Sequence, residues 1–414
     1  MSRVLLLLPT SSYRNEDFLA AGRDLRVEIL TAADYCHKLA PLWGMDPVLA
    51  LPFGEPQKAA EKALAYLDAE VDAVLAVDDH GLEVAALLAE QLGLKGNSAV
   101  AVRMLRDKLA FRQLQRSLGL QHPEFRHLPE DDDACALARS IRYPVVVKAR
   151  RLSASRGVVR ADDPESFVHV VERVRAIQRR ADRDAASLGL VVEAFVPGPE
   201  FALEGLLTDG RLEVLALFDK PDPLDGPYFE ETIYVTPSRL AESTQRAIAR
   251  DIEQACRGAG ILTGPVHAEM RVNDQGIVLL EVAPRSIGGL CGRVLRHSLG
   301  MSLEQVILRH ALGRPVPKAD RPAASGVMMI PIPERGILEG VAGLDAARRV
   351  AGIEDVVISV ARGELVVPPP EGAAYLGFIF ARGGAPAAPE SALRAAHGAL
   401  QFDIRPEIPL AERA

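Results

Sequence analysis

Apolar residues along the first hundred positions alternate between two spacings. Short apolar runs at 3–8, 25–30 and 71–77 predict strands, and segments 58–67 and 82–92 carry apolar residues at helical spacing. Strands alternating with helices predict a Rossmann-like, doubly wound parallel sheet. Ligands bind such sheets beyond the C-terminal ends of the strands, so the polar loops at 11–15 and 78–81 are candidate site loops. A polar, turn-rich stretch covers 11–17.

The pattern from 99 to 118 predicts one helix, carrying Arg106-Asp107-Lys108 and ending at Gly119. A buried-type strand follows at 144–149, then a loop of small and basic residues at 150–157. Residues 167–180 read as a helix, 190–195 and 200–207 as strands, and 243–259 as a helix. The last hundred residues are richer in Val, Gly and Pro. They predict strands at 326–332, 356–360 and 376–381 and a helix at 390–400, a separate small α+β domain. No period of 20–50 residues repeats, which argues against a solenoid.

The densest candidate chemistry lies at 265–285. Asp274-Gln275-Gly276 suits a three-residue hairpin loop with glycine at the positive-φ position. That loop pairs Asn273 with Ile277 and Glu269 with Glu281. The two-residue period then puts Val266, Ala268, Met270, Val272, Val278, Leu280 and Val282 on an apolar core face. His267, Glu269, Arg271, Leu279, Glu281 and Arg285 share the other. Two carboxylates about 5 Å apart at Cβ repel by roughly 3 kcal/mol at an effective dielectric near 20. A hard divalent cation relieves that, because magnesium takes one or two carboxylates plus phosphate oxygens. The same pattern suits two solvated glutamates balanced by Arg271 and Arg285. Lys148 ends a Val-Val-Val run, where burying an ammonium is costly without an anion. Nothing matches Gly-x-x-x-x-Gly-Lys-[Ser/Thr], so a P-loop is not supported.

Composition narrows the class. The 414 residues are 48% hydrophobic and 25% charged, enough for two or three domains with cores. A net charge of −8 argues against a nucleic-acid surface. The run 4–8 is too short for a signal peptide, and no segment reaches the roughly 20 apolar residues of a membrane helix. Cys36, Cys135, Cys256 and Cys291 are scattered without zinc spacing. A cytoplasmic protein with reduced thiols, bound to neither membrane nor nucleic acid, is the expectation.

The order of these pieces resembles the ATP-grasp superfamily. It runs through Arg106-Asp107-Lys108, Tyr143-Pro144-Val145-Val146-Val147-Lys148, Glu193-Ala194-Phe195-Val196-Pro197-Gly198-Pro199-Glu200, Glu269, and Leu280-Glu281-Val282-Ala283-Pro284-Arg285. More closely it resembles the L-amino-acid ligases, dipeptide-forming carboxylate–amine ligases, over nearly the whole chain. The resemblance implies an N-terminal Rossmann-like domain at 1–107, an ATP-grasp domain at 108–312 (lids 108–190 and 191–312), and a C-terminal α+β domain at 313–414.

It implies an ADP-forming ligase working through an acyl phosphate. ATP would be held by Lys108 and Lys148, by the loop residues Ser153, Ser155 and Gly157, by the hinge Glu193, Ala194, Phe195 and Val196, and by Glu200 at the ribose. Glu269 and Glu281 would hold one or two magnesium ions, with manganese the alternative. Ala283 stands where many relatives carry a further Asn ligand. Arg285 would hold the phosphoryl group or acyl phosphate. Asp79, Glu230, Glu231, His267, Gly288 and Gly289 would face the carboxylate and amine substrates, with Glu231 or Glu230 the base. Some relatives carry a bulky aromatic at Gly289, so a roomier pocket is expected. A homodimer is implied. The alternatives are another ATP-grasp reaction, of purine-pathway or carboxylase type, or a nucleotide-binding regulator without catalysis.

Overall fold

The computed structural model describes residues 1–10, 12–34, 49–67, 70–181, 187–316 and 324–407. Cys36 and Ser11 lie outside them. The other three cysteines are unpaired; Cys256 and Cys291 are buried.

The first four strands form the expected parallel sheet, in the order Leu49–Ala50, Glu28–Ala33, Arg3–Leu8, Ala73–Ala76. The run Val4–Leu7 is nearly inaccessible because both faces of the sheet are covered. The turn-rich stretch expected at 11–17 runs instead into a helix, Asn15–Leu25. It buries Phe18, Ala21 and Gly22, a spacing that the polar residues among them obscure in sequence. The strand ends at Leu8 and Ala76 lie side by side, so the loops after them share one edge.

The helix expected over 99–118 is two helices, Ala99–Arg106 and Lys108–Ser117. Asp107 divides them. Its backbone is extended (φ −99°, ψ 109°), and its carboxylate accepts from the Leu109 and Ala110 amides as an N-cap. The same carboxylate pairs with Arg150. Lys108 thus opens the second helix rather than lying along an exposed face, and it is 8% exposed.

A small antiparallel sheet follows, in the order Phe125–Leu128, Leu190–Ala194, Val145–Ala149, Val158–Ala161. The helix Pro164–Ala181 packs on it through Phe167, Val171 and Val174.

The largest sheet has eight strands and contains the hairpin Gly264–Asn273 and Gly276–Ala283. It continues through Glu200–Thr208, Arg211–Lys220 and Ile233–Thr236 into Ala324–Ile330, Gly377–Gly383 and Ile353–Ile358. The boundary expected at 313 is therefore a boundary in sequence and not in the sheet. Ile233–Thr236 pairs directly with Ala324–Ile330, so the expected separate C-terminal domain shares a sheet with the preceding one. A three-stranded sheet, Leu365–Val366, Gly336–Ala342 and Gln401–Pro406, completes the described residues. No helix among the described residues is long and apolar enough to cross a membrane.

Candidate active site

The hairpin reaches the expected pairing by an unexpected route. Its loop has two residues, so Asn273 pairs with Gly276 and Met270 with Leu279. That register would leave Glu269 facing Leu280. A β-bulge between Glu269 and Met270 on one strand and Leu279 and Glu281 on the other restores the pair Glu269–Glu281. The bulge also exchanges two leucines. Leu279 is 1% exposed in the core, and Leu280, expected in the core, lines the cavity. Arg112 and Gln115 stabilise this backbone. Arg112 donates to the carbonyls of Leu279 (3.3 Å) and Leu280 (2.8 Å), and Gln115 donates to that of Leu279 (3.1 Å).

The cavity beside this hairpin holds about 390 Å³ and is bounded by all three parts of the chain. The N-terminal sheet contributes Tyr13, Arg14 and Asp79, and the small sheet Lys148, Ser153, Ser155, Ala194, Phe195 and Val196. Lys108, Glu193, Glu200, Glu231, His267, Glu269, Glu281, Arg285, Gly288 and Gly289 also line it. Gly157 and Glu230 do not. Gly157 closes the loop behind the wall: its amide donates to Pro370 and its carbonyl accepts from Ala149. Glu230 accepts from the Ile332 amide at 3.3 Å.

At one end Lys148 donates to Glu193 at 2.7 Å, and Arg112 sits 2.9 Å from the same carboxylate. Burial alone would raise the Glu193 pKa; the Arg112 and Lys148 cations override it and hold it at about 2. Burial lowers the Lys148 pKa, against the attraction of Glu193. The expected hinge is partly committed, because the Ala194 amide donates to Glu124 and the Phe195 amide to Pro144. The Val196 carbonyl accepts from Arg271 at 2.6 Å. Val146, Val158, Phe195 and Leu280 make this end apolar. The loop after Lys148 holds Ala154 and Ser155 at φ 55° and 53°, strain of the kind that functional loops store.

In the middle Lys220 is 6% exposed. It lies 2.8 Å from Glu200 and 3.5 Å from Glu269, and it donates to Glu231. Glu200, Glu231 and Glu269 bring carboxylate oxygens within 4.8 Å of one another, the spacing of a metal site. Lys220, with Arg271 at Glu200, offsets part of their charge, and across the ladder Glu281 has the Lys108 ammonium at 3.7 Å. Burial raises the Glu269 pKa, and Glu200 and Glu281 push it further the same way. Burial and the nearby Glu269 likewise raise Glu231, which accepts from Tyr234 at 2.6 Å. His267 bridges Glu204 (3.4 Å) and Glu269 (3.5 Å).

At the far end Arg285 donates to Asp79 at 3.0 Å, joining hairpin to N-terminal sheet. Burial would raise the Asp79 pKa, but Arg285 and Arg106 hold it at about 2. The room expected at Gly289 is taken: a Cβ there, at φ 58°, would lie 2.8 Å from the Phe378 ring. Gly288 faces open space instead.

Sequence reasoning missed Lys220, Arg112 and Arg14. Lys220 carried the same signal as Lys148, a lysine ending an apolar strand. Arg112 carried none, because its partners beyond its own helix, Glu193 and the Leu279 and Leu280 carbonyls, come from distant parts of the chain.

Residues 141–294 match the ATP-grasp domain family, so the chain carries an ATP-grasp domain there. Residues 328–405 match the L-amino acid ligase C-terminal domain 2. Carnosine synthase 1 of Gallus gallus is 28% identical over 293 residues, 66% of this chain and 31% of its own. An alanine–anticapsin ligase of Bacillus amyloliquefaciens is 24% identical over 254 residues, 58% of this chain and 53% of its own. The chain thus spans about a third to a half of these two relatives. The crystal structure of an L-amino acid ligase from Bacillus licheniformis shares the fold, with a TM-score of 0.79 at 24% identity, covering 98% of this chain and 99% of that one.

Proposed function

We propose that the protein is an ADP-forming carboxylate–amine ligase that joins an amino acid or related carboxylate to an amine or amino acid. The observation that carries this is the meeting, in one cavity, of Lys108 and Lys148, the facing pair Glu269–Glu281, and Arg285. Phosphoryl transfer needs positioning and charge neutralisation more than a nucleophilic residue. Lys108 and Lys148 are suited to ATP phosphates, Ser153 and Ser155 to the loop over them, and the apolar end to the base. Gly157 would shape that loop from behind the cavity wall. With the Ala194 and Phe195 amides engaged, the Val196 amide and the segment's free carbonyls are left to read adenine. Glu200, held by Lys220 and Arg271, would take the ribose hydroxyls.

The two glutamates fit a magnesium ion. They face each other across the ladder and stay partly accessible, and burial disfavours Glu269 as a lone anion. Magnesium held there supplies neutralisation of the phosphate charge that Lys108 and Lys148 leave uncompensated.

In the first step a substrate carboxylate oxygen attacks the γ-phosphorus, giving an acyl phosphate and ADP. Arg285 would hold the charge that develops. In the second step an amine attacks the acyl carbon and phosphate leaves. The amine must be unprotonated, and Glu231, raised by burial, is suited to take its proton. His267 is held by two carboxylates and orients Glu269. Asp79 would meet the amino group of the first substrate once an anion competes for Arg285.

The test is incubation with ATP, magnesium and pooled amino acids, following ADP, AMP and phosphate. Amino-acid-dependent ADP and phosphate are expected. AMP with pyrophosphate would sink the acyl-phosphate route, and no turnover with any carboxylate–amine pool would favour a regulator.

A further inference from the structure

Arg14 lies beyond the C-terminal end of Arg3–Leu8, at the start of Asn15–Leu25, and it lines the substrate end of the cavity. It is 2% exposed. Its guanidinium donates to the Ser286 hydroxyl and the Val77 carbonyl, both neutral acceptors. Among the described residues no carboxylate comes within ion-pair distance of it; Glu304, Asp78 and Glu204 act only from farther away. The next residue to its partner Ser286 is a second arginine, Arg285, whose charge Asp79 meets directly. Burial of a guanidinium without a counter-ion is strongly unfavourable, and a like charge nearby adds to it. Both conditions hold at Arg14, where desolvation and Arg285 each lower the pKa.

Ordinary structural arginines in this chain are built differently. Arg112, also fully buried, has Glu193 at 2.9 Å, and Arg271 has Glu200 at 3.1 Å. Of the guanidiniums that line the cavity, Arg271 and Arg285 each meet a carboxylate, whereas Arg14 and Arg156 form no ion pair among the described residues, and of these two it is Arg14 that donates to Ser286, next to Arg285. Gly288 lines the same cavity, and a Cβ on it would meet nothing within 4 Å.

We infer that the carboxylate substrate carries a second acidic group, as aspartate- or glutamate-like dicarboxylates do, and that Arg14 is the cation that receives it. Arg285 serves the carboxylate being activated, and Arg14 serves the one that is not. This rests on the ligase reading and names the substrate class of that site. Five N–H donors leave Arg14 able to bind a carboxylate while keeping Ser286 and Val77.

The test is ADP release by the full chain with ATP, magnesium and single carboxylate substrates against a fixed amine pool. Dicarboxylic amino acids are compared with their amides and with alanine and leucine. The wild-type protein should favour the dicarboxylates. Arg14→Gln should lower kcat/KM for them by roughly 10- to 100-fold more than for the amides, the size of a lost charge-assisted bond. Arg14→Lys should recover part of that preference, and the KM for ATP should hold in both variants. If Arg14→Gln does not fold, the wild-type panel and Arg14→Lys still decide the matter. Equal turnover of neutral and dicarboxylic substrates, or an equal loss for all of them in Arg14→Gln, overturns the inference and leaves the ligase standing. No ADP release with any pair removes the ligase reading and this inference with it.

Discussion

Glu193→Gln tests the buried charge cluster behind the ATP end of the cavity. Glu193 is 2% exposed and is the shared anion for Lys148 at 2.7 Å and Arg112 at 2.9 Å. A pKa held at about 2 against an ordinary 4.5 means that folding favours the charged carboxylate by about 3 kcal/mol. Removing one partner of a buried pair costs about 3–5 kcal/mol by the independent route of uncompensated charge. The two agree, so the variant should lose about 3 kcal/mol at pH 7. The sign of the pH dependence follows from a depressed pKa. The stabilisation is present above the unfolded value of 4.5 and is lost as pH falls toward 2. The difference between wild type and variant should therefore narrow by roughly 1 kcal/mol between pH 7 and pH 3.5. Urea unfolding at the two pH values measures both quantities. A loss below about 1 kcal/mol at pH 7, or a difference that stays constant or widens on acidification, would refute the assignment of Glu193 as the charged centre.

The hairpin predicts that Glu281→Ala abolishes magnesium-dependent ADP release while leaving the melting temperature nearly unchanged; retained turnover would contradict the cation site. Lys220→Met leaves Glu200, Glu231 and Glu269 without their ammonium and should destabilise by about 3–5 kcal/mol, read by thermal melting. A neutral result would mean that the three carboxylates are not ionised together. Gly289→Ala combines a φ of 58° with a Cβ 2.8 Å from Phe378, and should cost about 1–3 kcal/mol. Gly288→Ala meets open space and should stay within about 0.5 kcal/mol, while changing the substrates accepted.

Much of this protein was legible one residue at a time. The apolar runs set the parallel sheet, because strands buried on both faces cannot carry polar residues. Lys148 announced its own site by its position in a Val run, and the acidic spacing at Glu269 and Glu281 carried the facing pair. The loops beyond the first strand ends did become cavity walls, at Tyr13, Arg14 and Asp79. Other features had no local signal. The break at Asp107 depends on Arg150, forty-three residues on, which holds the capping carboxylate. The hairpin register depends on a bulge stabilised by Arg112, so the two-residue loop and the bulge together restore a pairing that either alone would displace. The Glu200–Lys220–Glu231–Glu269 cluster gathers three strands and one loop of one sheet, and the room at Gly289 was decided by Phe378 from the last part of the chain. Periodicity and residue type determined which groups exist and which face water, since those follow from the backbone's own repeat. Only the tertiary structure decided which charges meet, because counter-ions and ring contacts come from segments whose separation in sequence carries no information about their distance in space.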